Sequence, residues 1–121
     1  MIEASLDRPA NLLRVSYSGT VGAEEMSRWV AKIQSMVNET QPGFRLLSDL
    51  SRLESMGLAC VPYIEQVMDF CDDRNVAMVV RIIPDRRKDI GLNIMSLFHY
   101  RRGVRIVTCE TLAEAVAILA R

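Results

Sequence analysis

The chain switches between two hydrophobic periods. Residues 2–6 alternate weakly between apolar and polar, which predicts an edge strand. Asp7-Arg8-Pro9-Ala10-Asn11 reads as a turn punctuated by Pro and Asn. Residues 12–18 alternate with Leu13, Val15 and Tyr17 on one face, the pattern of a half-buried strand. The two strands form a hairpin, and Gly19-Thr20-Val21-Gly22 breaks the second. From residue 23 to about 40 the period becomes helical: Met26, Trp29, Val30, Ile33, Met36 and Val37 share one stripe. Glu24 and Glu25 complement the dipole at its start, and Gln41-Pro42-Gly43 stops it. Trp29 lies on the apolar stripe and is read as core.

Residues 44–48 predict a short buried strand, and Ile64, Val67, Met68 and Cys71 mark the apolar face of a second helix ended by Asn75. Its polar side carries Glu65, Asp69, Asp72 and Asp73. Residues 76–83 form the longest apolar run, rich in valine and isoleucine, as in a strand covered on both faces and closed by Pro84-Asp85. Residues 86–100 predict a helix with Ile90, Ile94, Leu97 and Phe98 on its stripe, ended by Arg101-Arg102-Gly103. Residues 104–108 predict the last strand. Thr111 to Glu114 is a capping box that opens the last helix, with Ala115, Val116, Ile118 and Leu119 apolar. The order ββ-α-β-α-β-α-β-α predicts an α/β single domain over residues 1–121, with a mixed sheet of four or five strands and about four helices.

Between the third strand and the second helix lies Asp49-Leu50-Ser51-Arg52-Leu53-Glu54-Ser55-Met56-Gly57-Leu58. Such a handover is where an open α/β sheet meets ligands, and the free N–H groups of a helix start favour an anion. Ser55 there is either an N-cap or a residue able to carry a phosphate. Ser51 with Glu54 is itself an S-x-x-E capping pattern. Pro62, a few residues into the helical pattern, removes a hydrogen bond or forces a later helix start. Asp49 and Glu54 as paired acid–base carboxylates lack a histidine, lysine or metal partner nearby in sequence.

Composition narrows the classes further. Half of the 121 residues are hydrophobic and a quarter charged, an ordinary soluble pattern. No apolar run reaches the ~20 residues of a membrane helix, and the N-terminus lacks the features of a signal peptide. A cytoplasmic protein is expected. Cys60, Cys71 and Cys109 have no metal-binding spacing, and the one histidine is His99, so buried reduced thiols are expected and no metal or cofactor is implied. His99, beside Phe98 and Tyr100, is read as structural. Net charge is zero but uneven: residues 1–75 hold seven basic and eleven acidic side chains (−4), residues 76–121 eight and four (+4). A dipolar chain can dock a charged partner or a second copy of itself, and an exposed opening hairpin also suits a homodimer. No basic stripe interleaved with aromatics suggests nucleic acid. Arg86, Arg87, Lys88, Arg101 and Arg102 flank the predicted third helix and form a candidate anion-binding cluster. GxGxxG and GxxxxGK[ST] loops are absent.

From about residue 12 to 119 the chain resembles the STAS domain, the fold of bacterial anti-sigma-factor antagonists of the SpoIIAA type. Asp49-Leu50-Ser51 followed by Glu54-Ser55-Met56-Gly57-Leu58 matches the family's strand end and its Asp-Ser-Ser-Gly-Leu type motif. Glu54 stands where the family has Asp, and Met56 replaces the second small hydroxyl. Ser55 stands at the phosphorylated position, and Gly57 and Leu58 match. The resemblance implies a non-enzymatic protein-interaction domain, switched by phosphorylation at Ser55, whose partner is an anti-sigma factor that is also a serine kinase. The Arg45-Leu46-Leu47-Ser48-Asp49-Leu50 segment is also similar to SpoIIAA-like proteins related to the Sec14 lipid-binding fold. That likeness implies the alternative: a small-molecule or lipid-binding domain with an apolar pocket, kept adaptable by seven methionines, and an arginine cluster for an anionic group.

Overall fold

The computed structural model describes residues 1–85 and 99–121. Five strands form one sheet in the order β1 (Ile2–Asp7), β2 (Leu12–Val21), β3 (Arg45–Met56), β4 (Met78–Ile82) and β5 (Arg105–Cys109). β1 and β2 are antiparallel; β2, β3, β4 and β5 are mutually parallel neighbours. Helices α1 (Ala23–Glu39) and α2 (Val61–Asp73) make the first two crossovers, and α3 (Leu112–Leu119) follows β5. The predicted mixed α/β sheet is therefore observed, with three α-helices among the described residues. The predicted helix over 86–100 lies outside the described residues except for its last two positions.

Periodicity explains the packing. In β2 the predicted face, Leu13, Val15 and Tyr17, is buried. It meets Met26, Val30, Ile33 and Val37 of α1 and Val67 and Cys71 of α2 in one core. Trp29 and Met36 pack partly buried against it. A smaller core on the other face joins Leu47, Val80, Ile82 and Cys109 to Ala115 of α3. β4 is paired on both sides and Val79 to Ile82 are all buried, as the continuous apolar run predicts. The capping box holds in part: Thr111 Oγ1 accepts the Glu114 N–H at 3.2 Å. Val116 is 57% exposed, so α3 buries a narrower stripe than its composition suggests. Left-handed Asn75 (φ 60°) follows α2 as expected.

Two boundaries differ from the sequence reading. β3 does not end at residue 48 but runs to Met56, and β2 continues through Gly19 to Val21. The cause is register. From Ser16–Asp49 to Ser18–Arg52, β2 advances two residues and β3 three; from Gly19–Leu53 to Thr20–Ser55, β2 advances one and β3 two. β3 thus holds an extra residue at each of two bulges. At the first, Asp49 Oδ1 accepts the Ser51 N–H at 2.9 Å and the Ser51 hydroxyl at 2.6 Å. At the second, Gly19 takes φ +64°. The turn-like residues of this stretch bend a strand rather than end it. β3 pairs with β4 only from Arg45–Met78 to Asp49–Ile82, so among the described residues 50–56 continue with β2 as a two-stranded ribbon.

Candidate functional site

The ribbon places Ser55 on a strand. The corner falls later, at Gly57, followed by a three-residue 3-10 segment, Leu58–Cys60, and then α2. Neither start has a side-chain cap. The readings of Ser55, and of Ser51 with Glu54, as helix caps are therefore corrected: all three lie in β3, because pairing with β2 extends the strand past them. Pro62 forces the later start foreseen for it and sits in the first turn of α2, where a missing N–H leaves nothing unsatisfied. Ser55 is exposed and donates to the Thr20 hydroxyl across the ribbon at 3.2 Å. Leu58, just past the corner, is 89% exposed. Gly57 has ordinary extended dihedrals (φ −68°, ψ 151°), and a Cβ there would meet nothing within 4 Å. The fold does not require glycine at this position.

Beneath the ribbon lies a cavity of about 530 Å³, between the carboxyl ends of β3 and β4 and the inner face of α2. Its lining is mainly apolar, with Leu46, Leu50, Met56, Ile64, Val67 and Met68 among it. Glu54 and Ser55 also line it, so the ribbon is one wall of the cavity. Its size lies in the range of small-molecule pockets. Asp49 is elsewhere. It lines a depression of about 220 Å³ with Glu3, Arg14 and Ser16. The structure brings Glu54, Ser55 and Gly57 together and does not bring Asp49 to the same site as Glu54.

Sequence reasoning passed over Arg81. It lies within β4, in register with Ser48 of β3, and is 2% exposed. Val79, Arg81 and Ile83 line the cavity, while Val80 and Ile82 face α3. Tyr17, Ser48, Ser51, Asp85 and Tyr100 complete the polar part of the wall. Burial pushes the Tyr17 and Tyr100 hydroxyls up; the Arg81 charge partly offsets this for Tyr100. The signal was present: a lone charge inside a β-branched run expected to be covered on both faces.

The acidic side of α2 is occupied by the chain itself. His99 Nδ1 lies 2.7 Å from Asp69 and Nε2 2.6 Å from Glu65. Burial is the largest single influence on the imidazole and lowers its pKa. The hydrogen bonds and charges of Asp69 and Glu65 together outweigh it, and the net shift is upward. Asp72, buried, accepts the backbone N–H groups of Arg101 and Arg102 at 3.1 and 3.3 Å. Arg102 also pairs with Asp72 and Asp73 at 3.8 and 3.7 Å. Within the predicted anion-binding cluster, Arg102 is thus held by α2; Arg86, Arg87 and Lys88 lie outside the described residues. His99 has both ring nitrogens partnered by carboxylates of α2.

All three cysteines are buried and unbridged. Burial pushes Cys60 and Cys109 up, and Cys71 up to about 12 with a further contribution from Asp72. Such thiols stay protonated and are poor nucleophiles. Among the described residues, no group of three His, Cys, Asp or Glu side chains could hold a metal ion. Nor is any helix there long and apolar enough to cross a membrane.

No family model matches the sequence, and comparison with curated proteins gives no match. Solved structures do match. A DUF3478-family protein with a SpoIIAA-like fold from Shewanella loihica PV-4 has a TM-score of 0.75 at 14% identity, covering 98% of this chain and 93% of that one. The anti-sigma factor antagonist SpoIIAA in its unphosphorylated form has a TM-score of 0.68 at 13% identity, covering 99% and 98%. A chain from the Pseudomonas aeruginosa complex of the diguanylate cyclase SiaD with its activator SiaC has a TM-score of 0.57 at 13% identity, covering 92% and 93%. The fold is SpoIIAA-like.

Proposed function

We propose that the chain is a single-domain, non-enzymatic regulatory module of the cytoplasm that binds a protein partner through the β2–β3 ribbon tip, with Ser55 as a phosphorylation switch. The observation that carries this reading is the exposed Ser55 hydroxyl beside the 89% exposed Leu58, on a ribbon that projects past the β3–β4 pairing. A large apolar side chain so exposed suits a partner contact, and Gly57, not demanded by the fold, suits close approach of a partner backbone. Similarity to the anti-sigma factor antagonist SpoIIAA supports a partner of the anti-sigma-factor kind, and similarity to a chain of the complex of the diguanylate cyclase SiaD with its activator SiaC supports a protein partner in general. Ser55 precedes the first turn of α2, so a phosphate there acts through what the partner meets. It adds about −1.5 to −2 charges next to Glu54. The test is intact-mass measurement of the protein from its own cells with and without phosphatase, then partner capture with wild type and Ser55→Asp. An unmodified Ser55 together with an unchanged capture profile for Ser55→Asp sinks the switch.

The cavity supports a second reading, a small-molecule binding domain, because about 530 Å³ with mainly apolar walls fits a compact ligand. Thermal shift against a panel of apolar small molecules tests it.

A further inference from the structure

We propose that His99, Glu65 and Asp69 form a proton-operated clasp on the cavity: it holds Tyr100 against α2, and the wall between Tyr100 and α2 opens when His99 loses its proton. The inference stands apart from the partner and ligand readings. Ile64, Val67 and Met68 of α2 line the cavity, and so does Tyr100. Tyr100 packs, partly buried, on the core that contains Val67 and Cys71. Its chain neighbour His99 bonds Glu65 and Asp69, which stand one turn apart on the same helix. The clasp therefore joins two walls of one space.

The geometry itself fixes the charge of the closed state. Both ring nitrogens lie within hydrogen-bond distance of a carboxylate oxygen, Nδ1 at 2.7 Å from Asp69 and Nε2 at 2.6 Å from Glu65. The imidazolium has two N–H donors and satisfies both. A neutral ring keeps one, so its other nitrogen would turn a lone pair to a carboxylate at contact distance. One of the two bonds must then break, and the ring leaves that oxygen. Among the described residues, the charged groups that reach the imidazole are Glu65 and Asp69, both on α2. The next turn of α2 carries Asp72 and Asp73, which form ion pairs with Arg102. Both acids at the ring favour the charged form, so the proton is lost as pH rises past the ordinary value of about 6.5.

The neighbouring contacts confine the movement. Asp72 accepts the Arg101 and Arg102 N–H groups, and those bonds do not involve the His99 proton. The chain stays anchored there when the clasp lets go, so the freed pair is His99 with Tyr100. Two charge-assisted hydrogen bonds belong to the closed form alone, which is what lets pH bias the two forms.

The test uses the full chain with para-fluorophenylalanine incorporated in place of Tyr100. The shift of its fluorine resonance between light and heavy water reads water access at the cavity wall. The ring Cε1–H resonance of His99, the one histidine of the chain, reads its protonation. From about pH 5.5 to about 8.5 the isotope shift is expected to rise at least about twofold, sharing the midpoint of His99, above about 6.5. Asp69→Asn is expected to lower that shared midpoint, and His99→Gln to give a flat profile. Should the labelled chain not fold, the protection of the Tyr100 amide against hydrogen exchange in the wild type, corrected for intrinsic rates, is expected to fall at least about tenfold over the same range. A His99 midpoint at or below about 6.5 overturns the clasp. A higher midpoint with no change in water access or amide protection overturns its control of the cavity. A rise that persists in His99→Gln assigns the opening to another group, and one accompanied by loss of the native circular dichroism spectrum makes it global unfolding; either overturns the proposal.

Discussion

Two charged and polar stretches look alike in sequence and end differently. The acidic side of α2 reads as a solvated face, yet it is filled from within the chain: Glu65 and Asp69 hold His99, and Asp72 holds the backbone of Arg101 and Arg102. The ribbon stretch from Ser51 to Ser55 reads as a helix-capping corner, yet it is exposed strand whose Ser55 bonds Thr20. One set of polar groups fastens residues 99–102 to a helix. The other set is left facing outward. A polar side chain marks function best where the fold has not already used it.

The contrast can be broken first at Asp72. Removing its carboxylate by Asp72→Ala leaves the N–H groups of Arg101 and Arg102 without their buried acceptor, with an expected loss of about 1–3 kcal/mol in urea unfolding. A loss below about 0.5 kcal/mol would mean that residues 101–102 are not fastened there.

The second effect is pH-dependent. The native pKa of His99 is raised above the ordinary 6.5, so the charged form is favoured by the folded state. Its stabilisation is fully present below the unfolded value. It is lost as pH rises from about 6.5 through the raised native value. Urea midpoints measured from pH 5.5 to 8.5 in matched buffers should fall across that window in the wild type, and His99→Gln should flatten the fall. An identical slope in His99→Gln would remove His99 as the cause.

The ribbon should respond in the opposite way, with little change in stability and a large change in recognition. Ser55→Asp loses one exposed hydrogen bond and adds a charge beside Glu54; its stability should move by no more than about 0.5–1 kcal/mol while partner capture changes several-fold. Gly57→Ala is the smallest expected effect on folding, within about 0.5 kcal/mol, because the backbone there is ordinary and the space is open. If Gly57→Ala also leaves capture intact, the corner is not where the partner approaches.

Much of the frame was legible because it is written locally. Leu13, Val15 and Tyr17 alternate, and Met26, Val30, Ile33 and Val37 recur at helical spacing; those periods do not depend on what lies elsewhere in the chain. Thr111 to Glu114 is a local hydrogen-bond pattern and marked its helix start correctly. At the candidate site, Ser55, Glu54 and Gly57 were found through a short motif. Their setting was misread, since a bulged strand and a strand end use the same residues, Asp, Ser and Gly. Arg81 was hidden because its importance lies in a cavity formed by β3, β4 and α2, which no single window contains.

The sequence by itself determined the types and order of the described elements, the parallel crossovers and the two faces of β2, since backbone and side-chain periodicity are properties of neighbouring residues. Only the tertiary structure decided that β3 runs on to Met56, that Asp49 and Glu54 part company, and that the acids of α2 answer to residues 99–102. Each of these depends on a register or a contact about thirty residues away in the chain. There, pairing geometry and burial outweigh local preference.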